Sequence, residues 1–141
     1  MKKITIFLVL IIAFIGIYCY TYSQNKISKN NIIANNNEYT ALLDTEITGT
    51  NFASIINKVM DQNLNNNVEK DSDGIFLDNG TNSINIEIKF KDTDKVVKAE
   101  KIFNYDIRNF IKVYGNYKFK CTKIDYHKKT KYVKYMFFEE V

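Results

Sequence analysis

The sequence predicts an α+β domain, two helices on a mostly antiparallel sheet, set behind one N-terminal transmembrane helix. Three observations predict it. Residues 4–20 form an uncharged apolar run directly after Met1-Lys2-Lys3. Ile84, Ile86, Ile88 and Phe90 alternate with Asn85, Glu87 and Lys89, the period-two pattern of a half-buried strand. Ile107, Phe110, Ile111 and Tyr114 recur at the spacing of one helix face.

The apolar run, as a helix rising about 1.5 Å per residue, covers roughly 25 Å, and with Thr21 and Tyr22 it reaches the roughly 30 Å of a bilayer core. Tyr18 stands before Cys19, where a lipoprotein signal needs a small residue, and residues 20–24 offer no small-residue cleavage site. A prepilin-type leader needs a Gly before the cut and an acid early in the helix, and both are missing. Residues 1–23 are therefore expected to be an uncleaved, single-pass signal anchor. Lys2 and Lys3 precede the run and Lys26 and Lys29 follow it, a bias that keeps the amino end in the cytoplasm and places the C-terminal domain outside the cell. Tyr18, Tyr20 and Tyr22 then mark the outer interface.

Residues 24–43 are Asn-rich and have two readings. Composition suggests a flexible linker. Yet Ile32, Ile33, Tyr39, Leu42 and Leu43 partly keep helical spacing, and no Gly or Pro occurs between Ile17 and Thr48, so a helical stalk also fits. The weak helix propensity of Asn favours the linker.

Residues 44–141 make one domain. Glu46-Ile47-Thr48 reads as a short strand, Gly49 as a turn, and Thr50 as the N-cap of a helix with Phe52, Ile55, Ile56, Val59 and Met60 on one face. That helix runs out in residues 63–67. A charged turn region follows, then Ile75-Phe76-Leu77, the turn Asp78-Asn79-Gly80, and the alternating strand 84–90. Lys91-Asp92-Thr93-Asp94 turns the chain into a partner strand over 95–101. A second helix spans 104–114 and stops at Gly115. Residues 117–126 and 132–139 form a hairpin around His127-Lys128-Lys129-Thr130-Lys131.

The chain has 141 residues, no Pro, no Trp and a net charge of +4. Abundant Lys, Asn, Ile and Tyr match the coding bias of an AT-rich genome, which discounts arguments from lysine or asparagine counts alone. Only Cys121 lies outside the anchor, which excludes a disulfide within the domain and leaves its stability to the core.

Glu46-Ile47-Thr48-Gly49-Thr50 leading into Ile55-Ile56-Asn57-Lys58, and later residues 119–130, FKCTKIDYHKKT, resemble an uncharacterised family of small membrane-anchored extracytoplasmic proteins of low-GC Gram-positive bacteria. The resemblance covers residues 44–141. It implies an anchored envelope domain and carries over no catalytic or binding residue.

Catalytic chemistry is sparse. Cys121, Asp125 and His127 share one face of an unbroken strand, but six residues at about 3.3 Å each separate Cys121 from His127 by roughly 20 Å, against the roughly 3 Å a nucleophile and base require. Cys121 is expected in the core and His127 in the turn. The acidic turn Glu69-Lys70-Asp71-Ser72-Asp73-Gly74 is similar to the start of an EF-hand loop, but it opens on Glu69 and has Gly80 where the bidentate Glu belongs. No metal is expected there. The glycines are isolated and Ser54 lacks a nucleophile elbow, so no cofactor, small-molecule substrate or enzyme activity is expected.

Residues 101–134 hold ten Lys or Arg against Asp106 and Asp125, with tyrosines interleaved. Lys118, Lys120, Lys123, Lys128, Lys129 and Lys131 are the candidate polyanion-binding residues, for anionic lipid, wall polymer or DNA. The plainer reading is a solvated strand face and hairpin tip. The leading expectation is a non-enzymatic, tethered interaction module that docks another envelope protein, with the polyanion-binding tether as the alternative.

Overall fold

The structure, a computed structural model, describes residues 2–93 and 95–141, the side chains of residues 2–5, 7, 8, 31 and 35 excepted. Asp94, the last residue of the expected turn at 91–94, lies outside the described residues. The chain divides into two compact units, Met1–Ala34 and Asn35–Val141.

Helix α1 covers Lys2–Thr40, so residues 24–40 are helical and not coil. Between Ile6 and Tyr22 its described apolar side chains are exposed all round, Val9, Phe14 and Ile17 at 60%, 71% and 62%. Tyr18 and Tyr22 stack at 6.5 Å between ring centroids. The expected span at 4–20 falls partly on side chains outside the description, those of Ile4, Thr5, Phe7 and Leu8. Among the described residues, no helix is long and apolar enough to cross a membrane.

Residues 35–40 belong to the second unit and explain why an Asn-rich tract stays helical there. Tyr39 is 1% exposed, packs in the core and donates its hydroxyl to Gln62 Oε1 at 2.8 Å. Asn36 accepts from Val133 N at 3.0 Å and donates to Lys131 O at 2.6 Å. Glu38 pairs with Lys58. These contacts offset the low intrinsic helix propensity of Asn.

The second unit is α+β. Five strands, β1 (Glu46–Thr48), β2 (Asn85–Lys89), β3 (Val96–Lys98), β4 (Lys118–Tyr126) and β5 (Val133–Glu140), order as β1-β4-β5-β2-β3. Helices α2 (Gly49–Asn65) and α3 (Ala99–Tyr114) supply the other layer. The sheet is mixed, which corrects the expectation of a mostly antiparallel one. β2–β3 and β4–β5 are antiparallel hairpins as read from the sequence, but the inner strands β2 and β5 pair in parallel. The cause is α3, which carries the chain from the β3 edge back over the sheet before β4 begins. Strand alternation records which face is buried and says nothing of that polarity.

The core follows the predicted stripes. Phe52, Ala53, Ile56, Val59 and Met60 of α2 bury against Phe119, Cys121, Met136, Phe138, Ile86 and Ile88 of the sheet. The α2 N-cap is Thr48, two residues before the expected Thr50, and its hydroxyl accepts from Asn51 N at 3.3 Å. Gly49 follows because a Cβ there would sit 2.0 Å from Tyr114 O at the end of α3.

Three local expectations change. Helix α3 begins at Ala99, not 104, so residues 99–101 leave the expected strand; the pull is burial of Ala99 and Glu100. Within α3 the backbone breaks at Asp106, whose carboxylate accepts from Arg108 N at 2.9 Å and so caps the second half, which carries the predicted Phe110 face. Residues 75–77 form no strand of the sheet: Phe76 makes an isolated bridge to Lys70.

Candidate functional site

Of the clefts lined by polar side chains, two hold a buried titratable residue. The first lies where the turn 71–78 meets β2, β5 and the start of α3, a pocket of about 290 Å³. Glu100 sits in the first turn of α3, a position the helix dipole favours for a carboxylate. It is 1% exposed, Oε1 accepts from Phe76 N at a long 3.4 Å, and Oε2 has no partner among the described residues. Burial raises its pKa above the ordinary glutamate value; its own N–H, the Phe76 N–H and Lys98 pull it down, and Asp71 pushes it further up.

The remaining walls are better satisfied. Tyr135 donates its hydroxyl to Glu87 Oε2 at 2.8 Å, and burial followed by that carboxylate holds the phenol well above the usual tyrosine range. Asp71 Oδ1 accepts from Asp73 N and Ile75 N, both at 2.9 Å, which fixes the turn. This is the acidic turn compared with an EF-hand. Among the described residues no group of three or more His, Cys, Asp or Glu is placed to hold a metal ion.

Glu100 makes stability depend on pH in a direction opposite to a salt-bridged carboxylate. As pH rises, the unfolded chain gives up its Glu100 proton first and the folded chain holds it longer. The contribution is therefore full below the ordinary value and is lost as pH rises through the raised one. Glu100→Gln is expected to melt higher than the parent at about pH 8 and to narrow the stability difference between about pH 5 and about pH 8. Denaturant melts at both pH values check it; a parallel shift at the two pH values refutes it.

The second cleft, about 580 Å³, lies between the loop at 78–83 and the tip of the β4–β5 hairpin, with Asp125, His127, Lys128, Lys129 and Lys134 on its walls. His127 stands at the base of the hairpin turn, and its side chain is buried there. It is 2% exposed, and Nε2 stands 2.8 Å from Ser83 O. A carbonyl only accepts, so Nε2 carries the hydrogen. Asp78 ties the same loop down, accepting from Gly80 N at 2.8 Å and pairing with Lys134 at 2.6 Å. The lysine and the Gly80 N–H lower its pKa. Thr130 donates to Thr81 O.

The six candidate lysines separate. On the sheet face turned from α2 and α3, the register places Glu46, Lys120, Glu139 and Lys89 side by side across four strands, a lattice of alternating charge. Lys120 also pairs with Asp44 at 3.1 Å, and Lys123 pairs with Asp125 at 2.9 Å while lying over the Tyr135 ring. Lys118 lies at the start of β4, and Lys128, Lys129 and Lys131 at the hairpin tip. Cys121 and His127 turn to different partners: Cys121 Sγ faces Lys123 O at 3.6 Å, and burial pushes its thiol up to about 11. A neutral buried thiol is a packing group and not a nucleophile.

Sequence reasoning missed Glu100, because the residues around it read as strand. The available signal was an acid directly after Ala99, where a helix start gains from one. Compared with protein-family models, curated proteins and solved structures, the chain matches none of them.

Proposed function

We propose that the chain is a membrane-tethered, extracytoplasmic, non-enzymatic interaction module of a bacterial cell envelope. The observation that carries this reading is the exposed, all-round apolar surface of the described residues between Ile6 and Tyr22 of α1, on an uncharged sequence run of bilayer length followed by a polar domain. In water so many exposed Ile, Leu, Val and Phe side chains would drive aggregation; in lipid they are solvated. The basic residues before the run favour an outside domain, and the family resemblance of residues 44–141 points the same way. The sheet face holding Tyr135 and Phe137 is the docking surface, since tyrosine and phenylalanine are favoured in interface cores. Protease treatment of intact protoplasts carrying a C-terminal tag tests the reading. Digestion of the tag is the expected result, and full protection in intact cells with digestion after lysis overturns it.

The second reading, a polyanion-binding tether, is favoured by one observation: Lys128, Lys129 and Lys131 share the hairpin tip and make no ion pair among the described residues. Three such contacts give a log–log salt slope of about −2 to −3. Binding to anionic vesicles that ignores salt would exclude it.

A further inference from the structure

We propose that the pocket walled by Glu100 binds a primary ammonium group carried on a short apolar stem. Four acidic residues, Asp71, Asp78, Glu87 and Glu100, line it against one lysine, Lys98. Three of the four already have work. Asp78 pairs with Lys134 at 2.6 Å, Glu87 accepts the Tyr135 hydroxyl, and Asp71 accepts two backbone N–H groups. Among the described residues, Glu100 alone keeps a buried side-chain oxygen without a donor.

A buried acceptor with no partner is destabilising, and native structures rarely leave one without a reason. A cationic donor satisfies both the missing hydrogen bond and the uncompensated charge, whereas a neutral donor satisfies only the first. An anion is repelled by the remaining carboxylates. A divalent metal lacks its ligand set, since no three such side chains among the described residues converge. Ile75, Phe76 and Ile86 supply the apolar wall for a stem, and about 290 Å³ admits a chain of a few carbons. Oε2 is sealed from solvent, so the ammonium reaches it only as the Glu100 side chain turns toward the pocket, exchanging the long 3.4 Å bond from Phe76 for a charge-assisted one.

The ammonium comes either from a free amine or from a lysine side chain of a partner protein, and two arms of one titration separate the sources. Isotope-labelled full-length chain in detergent micelles is titrated with n-butylammonium and with an acetylated, amidated Gly-Lys-Gly peptide, followed by the amide signals of Phe76 and Glu100. Saturable shifts are expected, weakened at least about tenfold in Glu100→Gln. They weaken on acidification, as Glu100 loses its charge among Asp71, Asp78, Glu87, Lys98 and Tyr135. Tighter binding of the peptide assigns a protein lysine, and tighter binding of n-butylammonium a small amine. No saturable shift, an unchanged response in Glu100→Gln, or equal affinity for n-pentanol overturns the proposal. Asp71→Asn and Glu87→Gln keep their local acceptors, so they carry the test if Glu100→Gln fails to fold, each weakening binding by about threefold. The outcome is independent of the tether, because micelle titration does not depend on which side of a membrane the domain faces.

Discussion

Phe52→Ala is expected to destabilise the domain by about 3–5 kcal/mol and to lower its melting temperature by more than about 10 °C. Phe52 is fully buried at the centre of an aromatic cluster. Its ring lies 4.4 Å from Phe138, 5.0 Å from Phe119 and 6.1 Å from Phe110, so one side chain joins α2 to β5, β4 and α3. Truncation removes the transfer free energy of the ring and leaves a cavity that three rigid neighbours on different elements cannot close together. Phe52→Leu keeps apolar bulk and loses ring contacts, costing about 1–2 kcal/mol. Denaturant unfolding of full-length chain in detergent measures both. A loss under about 1 kcal/mol for Phe52→Ala would mean that the cluster is not the centre of the core.

Phe52 was legible in the sequence, and its legibility marks what periodicity encodes. Burial of one face is written in every third or fourth residue of α2 and every second residue of β2, so both elements and their inward faces follow from pattern alone. The β4–β5 hairpin was legible for the same reason, except where the register shifts, between Asp125 and Tyr126 and, at Thr122, between Cys121 and Lys123. Beyond Thr122 the alternation inverts: Ile124 packs against the core, while Lys123 and Asp125 face away from it. The shared face assigned to Cys121 and Asp125 was therefore an artefact of counting through an unbroken strand.

Pairing polarity and the candidate pocket were not legible, because both depend on where α3 starts and how it crosses the sheet. Val96, Val97 and Ala99 look like a strand locally, and only the tertiary burial of Ala99 and Glu100 turns the chain into helix there. The orphaned oxygen of Glu100 exists only once residues 71–78 fold over it. No local pattern carries that information. The partners of the lysines were not legible either: Lys120 stands across from Glu139 and pairs with Asp44, and neither contact is written in the local sequence.

Asparagine counts, like lysine counts, were discounted in the sequence, yet Asn63 carries the second large expected effect. It lies near the end of α2, in a tract that reads as a fraying helix terminus, yet it is completely buried. Its Nδ2 donates to Ile84 O at 2.7 Å and its Oδ1 accepts from Ile84 N at 2.8 Å, so one amide satisfies both backbone groups of the residue that leads into β2. Asn63→Leu keeps the bulk and orphans both groups, at about 1–3 kcal/mol each and about 2–5 kcal/mol together. Asn63→Asp separates hydrogen bonding from packing. The carboxylate still accepts from Ile84 N, but it sets a second oxygen against Ile84 O, and only the protonated acid restores the donor. The folded variant therefore holds its proton longer than the unfolded one, and its stability rises as pH falls through that raised titration. Urea melts of the parent, Asn63→Leu and Asn63→Asp from neutral to mildly acidic pH measure both effects. Partial recovery of Asn63→Asp on acidification, with none in Asn63→Leu, is the expected pattern. Equal stability of the leucine variant and the parent would mean that the clamp contributes nothing, and that α2 and β2 are joined by apolar packing alone.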